Sequence, residues 1–206
     1  MQQIQKQVYS FGLAEFNIFA APFAVFDALG IENTFDVSCS IFYPQYLQFL
    51  DDADGNSIDV TQYEVPELNT AEPGDWEEET EEGEKIWKES RKVLNIRNHL
   101  IKNINTQLFF IESNSLYNEL YDKNEIYVIK SKQMYELFRN IKIHFTNQHI
   151  NGIFKTFPVH EKIGYIGGIH VEEKNILTDI NKKQNHKKVK QNLKNFRKEC
   201  GRFLGI

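Results

Sequence analysis

The chain has 206 residues, a formal net charge of −5 at pH 7 and a hydrophobic content of 41%. A chain of this length and composition can bury a substantial core, which excludes the low-hydrophobicity compositions of disordered proteins. The two cysteines, Cys39 and Cys200, lack metal-ligand spacing and predict buried thiols in a reducing compartment. The bias toward Asn, Lys, Ile and Phe indicates an AT-rich genome, such as that of a phage or another mobile element.

The most apolar stretch of the chain, residues 11–31, does not predict a signal peptide or a membrane span. Glu15, Asn17 and Asp27 interrupt it, and Pro22 stands in its middle. The sequence therefore predicts a cytoplasmic protein without a membrane partner.

The N-terminal third predicts one helix followed by strands. Residues 22–29 favour a helix that begins near Pro22 and stops at Gly30. Residues 34–43 alternate between apolar and polar side chains and predict a strand, which Pro44 ends. Extended residues 46–50 and 58–65 flank an Asp-Gly turn within residues 51–57, so we expect antiparallel N-terminal strands. The same Asp-rich segment does not fit a calcium loop, because its first and last ligand positions would be Leu50 and Thr61.

Negative charge is concentrated in residues 51–84, which contain fourteen Asp or Glu and no Lys or Arg. Residues 66–82 are poor in apolar side chains and predict a mobile acidic loop. A tryptophan beside carboxylates is a common anchor for a basic protein surface, because the indole buries a large area while the acids steer association. The candidate partner-binding residues are Asp75, Trp76, Glu77, Glu78, Glu79, Glu81 and Glu82. The alternative is that Trp76 and Trp87 are structural.

The middle of the chain predicts mixed α and β elements, and the whole chain predicts a single α+β domain. Helical periodicity covers residues 84–103. The elements expected after it are a strand at 107–111, a helical turn at 116–121, a strand at 125–129, a helix at 132–139, a strand at 141–145 and a strand pair at 152–157 and 162–171. Gly164, Gly167 and Gly168 indicate bends or close backbone approach in the last strand.

The C-terminal residues predict an amphipathic basic helix. Residues 181–206 contain nine Lys or Arg and one acid. One apolar stripe is formed by Val189, Leu193, Phe196, Cys200 and Phe203. The candidate nucleic-acid-binding residues, which surround this stripe, are Lys187, Lys190, Lys194, Arg197 and Lys198.

The sequence offers little catalytic chemistry. The segment from Gly164 to Gly168 matches neither a dinucleotide fingerprint nor a phosphate loop, and we predict no cofactor and no metal site. Four late histidines, His144, His149, His160 and His170, suit metal-independent acid and base chemistry. His144-Phe-Thr146 resembles half of the two-histidine phosphoesterase signature, but Glu172 stands where the second half needs Ser or Thr.

Two functional hypotheses follow. The first is a small intracellular binding or inhibitor protein, of the immunity or anti-defence type, whose acidic surface engages a basic partner. The second is a nucleic-acid-binding or nucleic-acid-processing protein that uses the basic C-terminal helix and the late histidines. A third arrangement, in which the acidic and basic segments pair with each other, would leave both surfaces neutralised.

Overall fold

The described part of the chain divides into two compact units. The computed structural model describes residues 8–17, 20–72, 89–123, 132–154 and 156–168. The described residues of the first unit belong to the ranges 1–42, 113–153 and 161–206. Those of the second unit belong to the ranges 43–112 and 154–160.

The first unit is built on a parallel four-stranded sheet. The strands are β1 (Gly12–Ala14), β2 (Thr34–Ser38), β3 (Ile143–Thr146) and β4 (Ile163–Tyr165), and they lie in the order β1-β2-β3-β4. Each neighbouring pair is parallel. Helix α1 (Ala21–Ala28) connects β1 to β2, and helix α3 (Met134–Asn140) precedes β3. Because all four strands run in one direction, their carboxyl ends meet at one edge of the sheet.

The expectation of antiparallel N-terminal strands is wrong, whereas the expected mixture of α and β elements is confirmed. β2 ends at Ser38 and pairs in parallel with β1 and β3, and residues 44–49 form a 3-10 helix. The alternation of polar and apolar residues in β2 favoured an antiparallel sheet, because such alternation is usual where one face of a sheet meets water. Here both faces are covered, and the polar side chains of Asp36 and Ser38 are buried too.

Local signals predicted the first helix well. α1 has a proline in its first turn, as expected from Pro22. Gly30 follows the helix with a φ of 72°, a left-handed conformation that glycine adopts without steric cost. Gly167 also has the expected role, because a Cβ atom there would lie 2.6 Å from the backbone of Gln148.

Helix α2 (Glu89–Lys123) is the longest element among the described residues, and its residues up to Glu112 belong to the second unit. It includes the predicted helical turn at 116–121, but the predicted strand at 107–111 is wrong because those residues are helical. The ring of Phe110 stacks on that of Phe49, with centroids 4.3 Å apart. This buried contact fixes the helical phase of a segment whose aromatic and β-branched residues favour strands locally.

The Asp-Gly turn of the second unit is confirmed. Asp51 and Ser57 form an isolated antiparallel bridge, and the backbone N–H of Gly55 donates to the carbonyl of Asp52. Beyond the turn, residues 58–65 contain a 3-10 helix at Val60–Gln62 rather than a strand.

The later predictions have mixed outcomes. The helix expected at 132–139 is α3, and the strands expected at 141–145 and from 162 are β3 and β4. Residues 152–157 are not a strand in their described part. The strand at 125–129 and the basic C-terminal helix lie outside the described residues. Within the described ranges, no helix combines the length and apolarity needed to cross a membrane.

Candidate functional sites

Helix α2 has a buried face that is unusually polar in its first half. Asn95, His99 and Thr106 are almost completely buried, as is Phe110 further along. Their spacing of four, seven and four residues places them on one side of the helix. α2 therefore packs against its own unit through a face that begins with polar side chains.

That polar face is hydrogen bonded to residues 65–67, within the acidic segment of residues 51–84. The amide of Asn95 accepts from the backbone N–H of Glu67 at 2.6 Å and donates to the carbonyl of Val65 at 3.0 Å. The Nε2 atom of His99 donates to the same carbonyl at 2.7 Å. Burial lowers the pKa of His99, because a charged imidazole is disfavoured there, although the nearby carboxylates of Glu67 and Asp59 oppose this effect.

Two cations of α2 pair with acids of the same segment. Nζ of Lys92 lies 2.7 Å from Oε1 of Glu64, and the guanidinium of Arg91 lies 3.6 Å from Glu72. The Arg91 side chain also donates to the carbonyl of Thr70 at 2.7 Å. Residues 64–72 are thus hydrogen bonded and ion paired to α2.

The opposite side of α2 is apolar and exposed. We call it the apolar stripe of α2, and its members are Val93, Ile96, Leu100, Ile104, Leu108 and Ile111. They follow one another at intervals of three or four residues, which places them along one face. Each is between 41% and 62% exposed. The stripe is about 27 Å long, at 1.5 Å per residue. A long apolar face turned outward typically marks a site of interaction.

The candidate binding residues of the sequence analysis lie outside the described residues. This holds for the whole acidic set, from Asp75 to Glu82, and for the whole basic set, from Lys187 to Lys198. The use of either set, including nucleic-acid binding by the basic residues, stays a prediction.

The late histidines have separate surroundings. His144 is 1% exposed and stands on β3, where Nδ1 lies 3.0 Å from Oδ2 of Asp36. His149 accepts from the backbone N–H of Asn151 at the start of a 3-10 helix. His160 belongs to the second unit, and its Nε2 atom donates to the carbonyl oxygen of Asp51 at 2.9 Å. His170 lies outside the described residues.

A second polar site lies at the carboxyl edge of the sheet in the first unit. Oε1 of Glu15 accepts from the hydroxyl of Ser38 at 3.1 Å and from the backbone N–H of Cys39 at 3.4 Å. The Asn17 amide also donates to the Ser38 hydroxyl, at 3.3 Å. Oγ of Ser38 lies 2.8 Å from Oγ of Ser40. These side chains follow β1 and β2 directly, at the edge where ligands of open parallel sheets usually bind.

The same sheet buries further polar side chains on one face. Asp36, Ser38, His144, Thr146 and Tyr165 are each at most 5% exposed. In the register, Asp36 pairs with His144, and Thr146 pairs with both Ser38 and Tyr165. A buried parallel strand is normally apolar on both faces, so these buried polar side chains depart from the usual pattern of a parallel sheet.

The opposite edge of the sheet carries a charged depression of about 260 Å³. Its lining includes Asp27, Lys132, Glu32 and Lys142. Nζ of Lys132 lies 2.7 Å from Oδ1 of Asp27, whose side chain is buried. The most buried charged group of the depression, the carboxylate of Asp27, is therefore already paired with Lys132. Across the described ranges, no three His, Cys, Asp or Glu side chains are close enough together to hold a metal ion.

Sequence reasoning singled out His144 but missed its partner Asp36, the carboxylate of Glu15 and the exposure of the stripe. In the sequence, Glu15 and Asn17 are visible only as interruptions of an apolar stretch. A polar residue directly after a short apolar run is the signal that would have indicated the carboxyl end of a strand. No family model, curated protein or solved structure matches this chain.

Proposed function

We propose that this chain is an intracellular, cytoplasmic binding protein of the inhibitor type, such as an immunity or anti-defence protein. Its partner presents a basic amphipathic segment, whose apolar side chains cover the apolar stripe of α2. The acidic residues of 51–84 attract the cationic side chains of that segment. The exposure of the stripe is the observation that carries the proposal.

The stripe supports a protein partner because of its size and position. Burying the exposed half of one Leu, Ile or Val side chain contributes on the order of 1 kcal/mol, so the six side chains of the stripe can support stable association. A continuous line of apolar side chains at helical spacing is the usual docking surface for another amphipathic helix. The buried side of α2 already contacts its own unit through Asn95, His99 and Phe110, which leaves the stripe for a partner.

Charge determines which partner chemistry fits. Residues 51–84, which come before α2 in the chain, contain fourteen acids and no Lys or Arg. In the described part, Glu64 and Glu72 pair with cations of α2, whereas Asp52 and Asp54 are exposed in the turn. A partner that carries Lys or Arg beside its apolar side chains is therefore favoured over an acidic one.

The test uses synthetic helical peptides as defined partners. An 18-residue peptide of Leu and Lys, with all leucines on one face, matches the length of the stripe. The controls are a scrambled peptide of the same composition and a peptide in which Glu replaces Lys. We expect the basic amphipathic peptide to bind with micromolar affinity, more weakly at high salt, and both controls to bind at least tenfold more weakly.

Two neighbouring residues of α2 give a matched pair of variants. Ile104→Glu places a charge in the stripe, and Asn105→Glu places the same charge on an exposed residue beside it. Ile104→Glu should weaken peptide binding at least tenfold, and Asn105→Glu less than twofold. Equal effects of the two variants contradict the proposal. Sedimentation velocity measures self-association: a dimer that Ile104→Glu dissociates would identify a second copy, not a basic partner, as the occupant.

A further inference from the structure

The two faces of the parallel sheet in the first unit carry different side chains. Register-paired residues point to the same face of a sheet, so Asp36 and His144 lie on one face with the other buried polar side chains. The opposite face carries only apolar side chains in β2 and β3. We call it the apolar face of the sheet, and its members are Leu13, Phe35, Val37, Ile143 and Phe145.

The described helices of the first unit lie on the polar face. The ring of Phe138, on α3, packs on the imidazole of His144, with centroids 4.4 Å apart. Helix α1 packs on β1 from the same side, since a Cβ atom at Gly12 would lie 2.6 Å from the ring of Phe26. The end of α2 joins this layer, because the hydroxyl of Tyr117 donates to a backbone carbonyl of α1 at 3.2 Å. Since parallel sheets are normally covered on both faces, a second layer is expected on the apolar face.

The centre of the apolar face is already buried. Phe35 and Phe145 are each 3% exposed, and their rings stack with centroids 6.3 Å apart. Phe11 meets Phe35 edge-on from the β1 side, with centroids 6.5 Å apart. These ring contacts lie along the sheet and do not cover it from above. Because the described helices of this unit are on the other face, the cover has to come from elsewhere in the chain.

The C-terminal residues have the length and the pattern for this cover. Residues 169–206 follow the last described residue after β4. Their apolar line from Val189 to Phe203 would be about 21 Å long in a helix. Four strands span about 14 Å, so this line is long enough to cross the sheet. Residues 169–188 can extend over about 60 Å, and they therefore do not restrict where the line is placed.

We propose that residues 187–203 pack as a helix on the apolar face of the sheet in the first unit. The side chains that contact the sheet are Val189, Leu193, Phe196, Cys200 and Phe203. Lys and Arg residues occupy the other sides of this helix, so they point away from the sheet. The docked helix gives the sheet a helical layer on both faces and gives the first unit a basic outer surface.

The apolar stripe of α2 fits the same segment less well. Its members are 41% to 62% exposed, whereas Phe35 and Phe145 are each 3% exposed. A segment of the chain that covered the stripe would bury it to a similar extent. The docked helix therefore leaves the stripe of α2 open, and the inference does not depend on the partner proposed for that stripe.

Disulfide formation in the full chain tests where the segment lies. Leu13 is at the rim of the apolar face and 51% exposed, so a cysteine there disturbs little. Leu13→Cys is made together with Cys39→Ser and Cys200→Ser, and a second cysteine is placed at Leu193 or at Phe196. On exposure to oxidised glutathione, we expect at least one of the two pairs to form a disulfide within one chain, because a docked helix brings the Cβ atoms to about 4 Å.

The matched control places the first cysteine on the other side of the sheet. Tyr135→Cys, on α3, replaces Leu13→Cys, since Tyr135 is exposed to a similar extent at 42%. The control pairs should form the disulfide at least tenfold more slowly. Equal rates, or no disulfide with either partner of Leu13→Cys, would overturn the proposal. A disulfide between two chains would also overturn it and would assign the apolar face to a second copy.

The natural cysteines provide an independent measurement. Cys39 is exposed, whereas Cys200 belongs to the line that contacts the sheet. In the folded full chain, a thiol reagent should label Cys200 at least tenfold more slowly than Cys39, and the difference should vanish in urea. Lys198→Cys, made with Cys200→Ser, places the thiol on the outward side and should be labelled as fast as Cys39. Labelling of Cys200 at the rate of Lys198→Cys would overturn the docking.

Discussion

Nδ1 of His144 lies 3.0 Å from Oδ2 of Asp36, and the two side chains connect β3 to β2 inside the sheet of the first unit. Oδ1 of the same carboxylate accepts from the backbone N–H of Phe16, 2.8 Å away, at the end of β1. The imidazole also packs on Phe138, with ring centroids 4.4 Å apart. Asp36 therefore joins three consecutive strands through one buried side chain.

Replacing Asp36 by Ala should strongly destabilise the protein. The variant removes two hydrogen bonds and leaves the buried imidazole without its acceptor, so we expect a loss of about 3 to 5 kcal/mol in the free energy of unfolding. Urea denaturation followed by circular dichroism measures the loss. Asp54→Ala, in the exposed turn of the second unit, is the control and should change stability by less than about 0.5 kcal/mol. A loss below about 1 kcal/mol for Asp36→Ala would show that the pair is not a structural link.

The pairing of Asp36 with His144 explains why only part of the fold could be predicted from the sequence. Helix α1 and the Asp-Gly turn depend on local residues, Pro22, Gly30 and Gly55, whose backbone preferences act within a few positions. The direction of β2 depends on β3, more than a hundred residues later. The alternating sequence of a strand does not indicate whether its polar face will meet water or a buried histidine.

The candidate sites show the same division. His144 stood out because histidine is chemically distinctive, but its burial and its pairing with Asp36 follow only from the sheet register. The apolar residues of α2 predicted a helix through their spacing. Which face of that helix is buried depends on contacts with Val65 and Phe49, which no helical pattern encodes.

The two faces of α2 should respond differently to truncation. Phe110 is 3% exposed and stacks on Phe49, so Phe110→Ala should lower the free energy of unfolding by about 3 to 5 kcal/mol. Leu108 is 52% exposed, and Leu108→Ala should cost less than about 1 kcal/mol. Chemical denaturation of both variants provides the comparison. Similar losses would mean that the stripe is part of the core.

His99 should make stability depend on pH. Its pKa is lowered in the folded state, mainly by burial, so the unfolded chain binds the proton more readily. Stability is complete above the ordinary histidine value of about 6.5 and decreases as the pH falls below it. Melting temperatures between pH 8 and pH 5 should show this decrease, and His99→Gln should flatten it. His160→Gln is the control, because His160 is only half-buried. An unchanged slope in His99→Gln would assign the pH dependence to other groups.

Charge reversal separates the acidic and basic segments. Glu77→Lys, Glu78→Lys and Glu79→Lys together should weaken binding of the basic peptide at least tenfold, because they remove the attraction for its lysines. Lys190→Glu, Lys194→Glu and Arg197→Glu together should leave peptide affinity within twofold and the melting temperature nearly unchanged. If the basic reversal lowers the melting temperature and the acidic reversal restores it, the two segments pair internally. If the triple variant of Lys190, Lys194 and Arg197 instead loses a salt-dependent binding of RNA or DNA, that result supports the nucleic-acid hypothesis.

The rate of thiol labelling at Ile104→Cys tests the role of the apolar stripe most directly. The variant is made with Cys39→Ser and Cys200→Ser, so that it carries one thiol, and is labelled with and without the basic Leu/Lys peptide. We predict labelling at the rate of an exposed thiol without the peptide and at least tenfold slower labelling with it. Slow labelling without the peptide, or a rate that the peptide does not change, would contradict partner binding through this face.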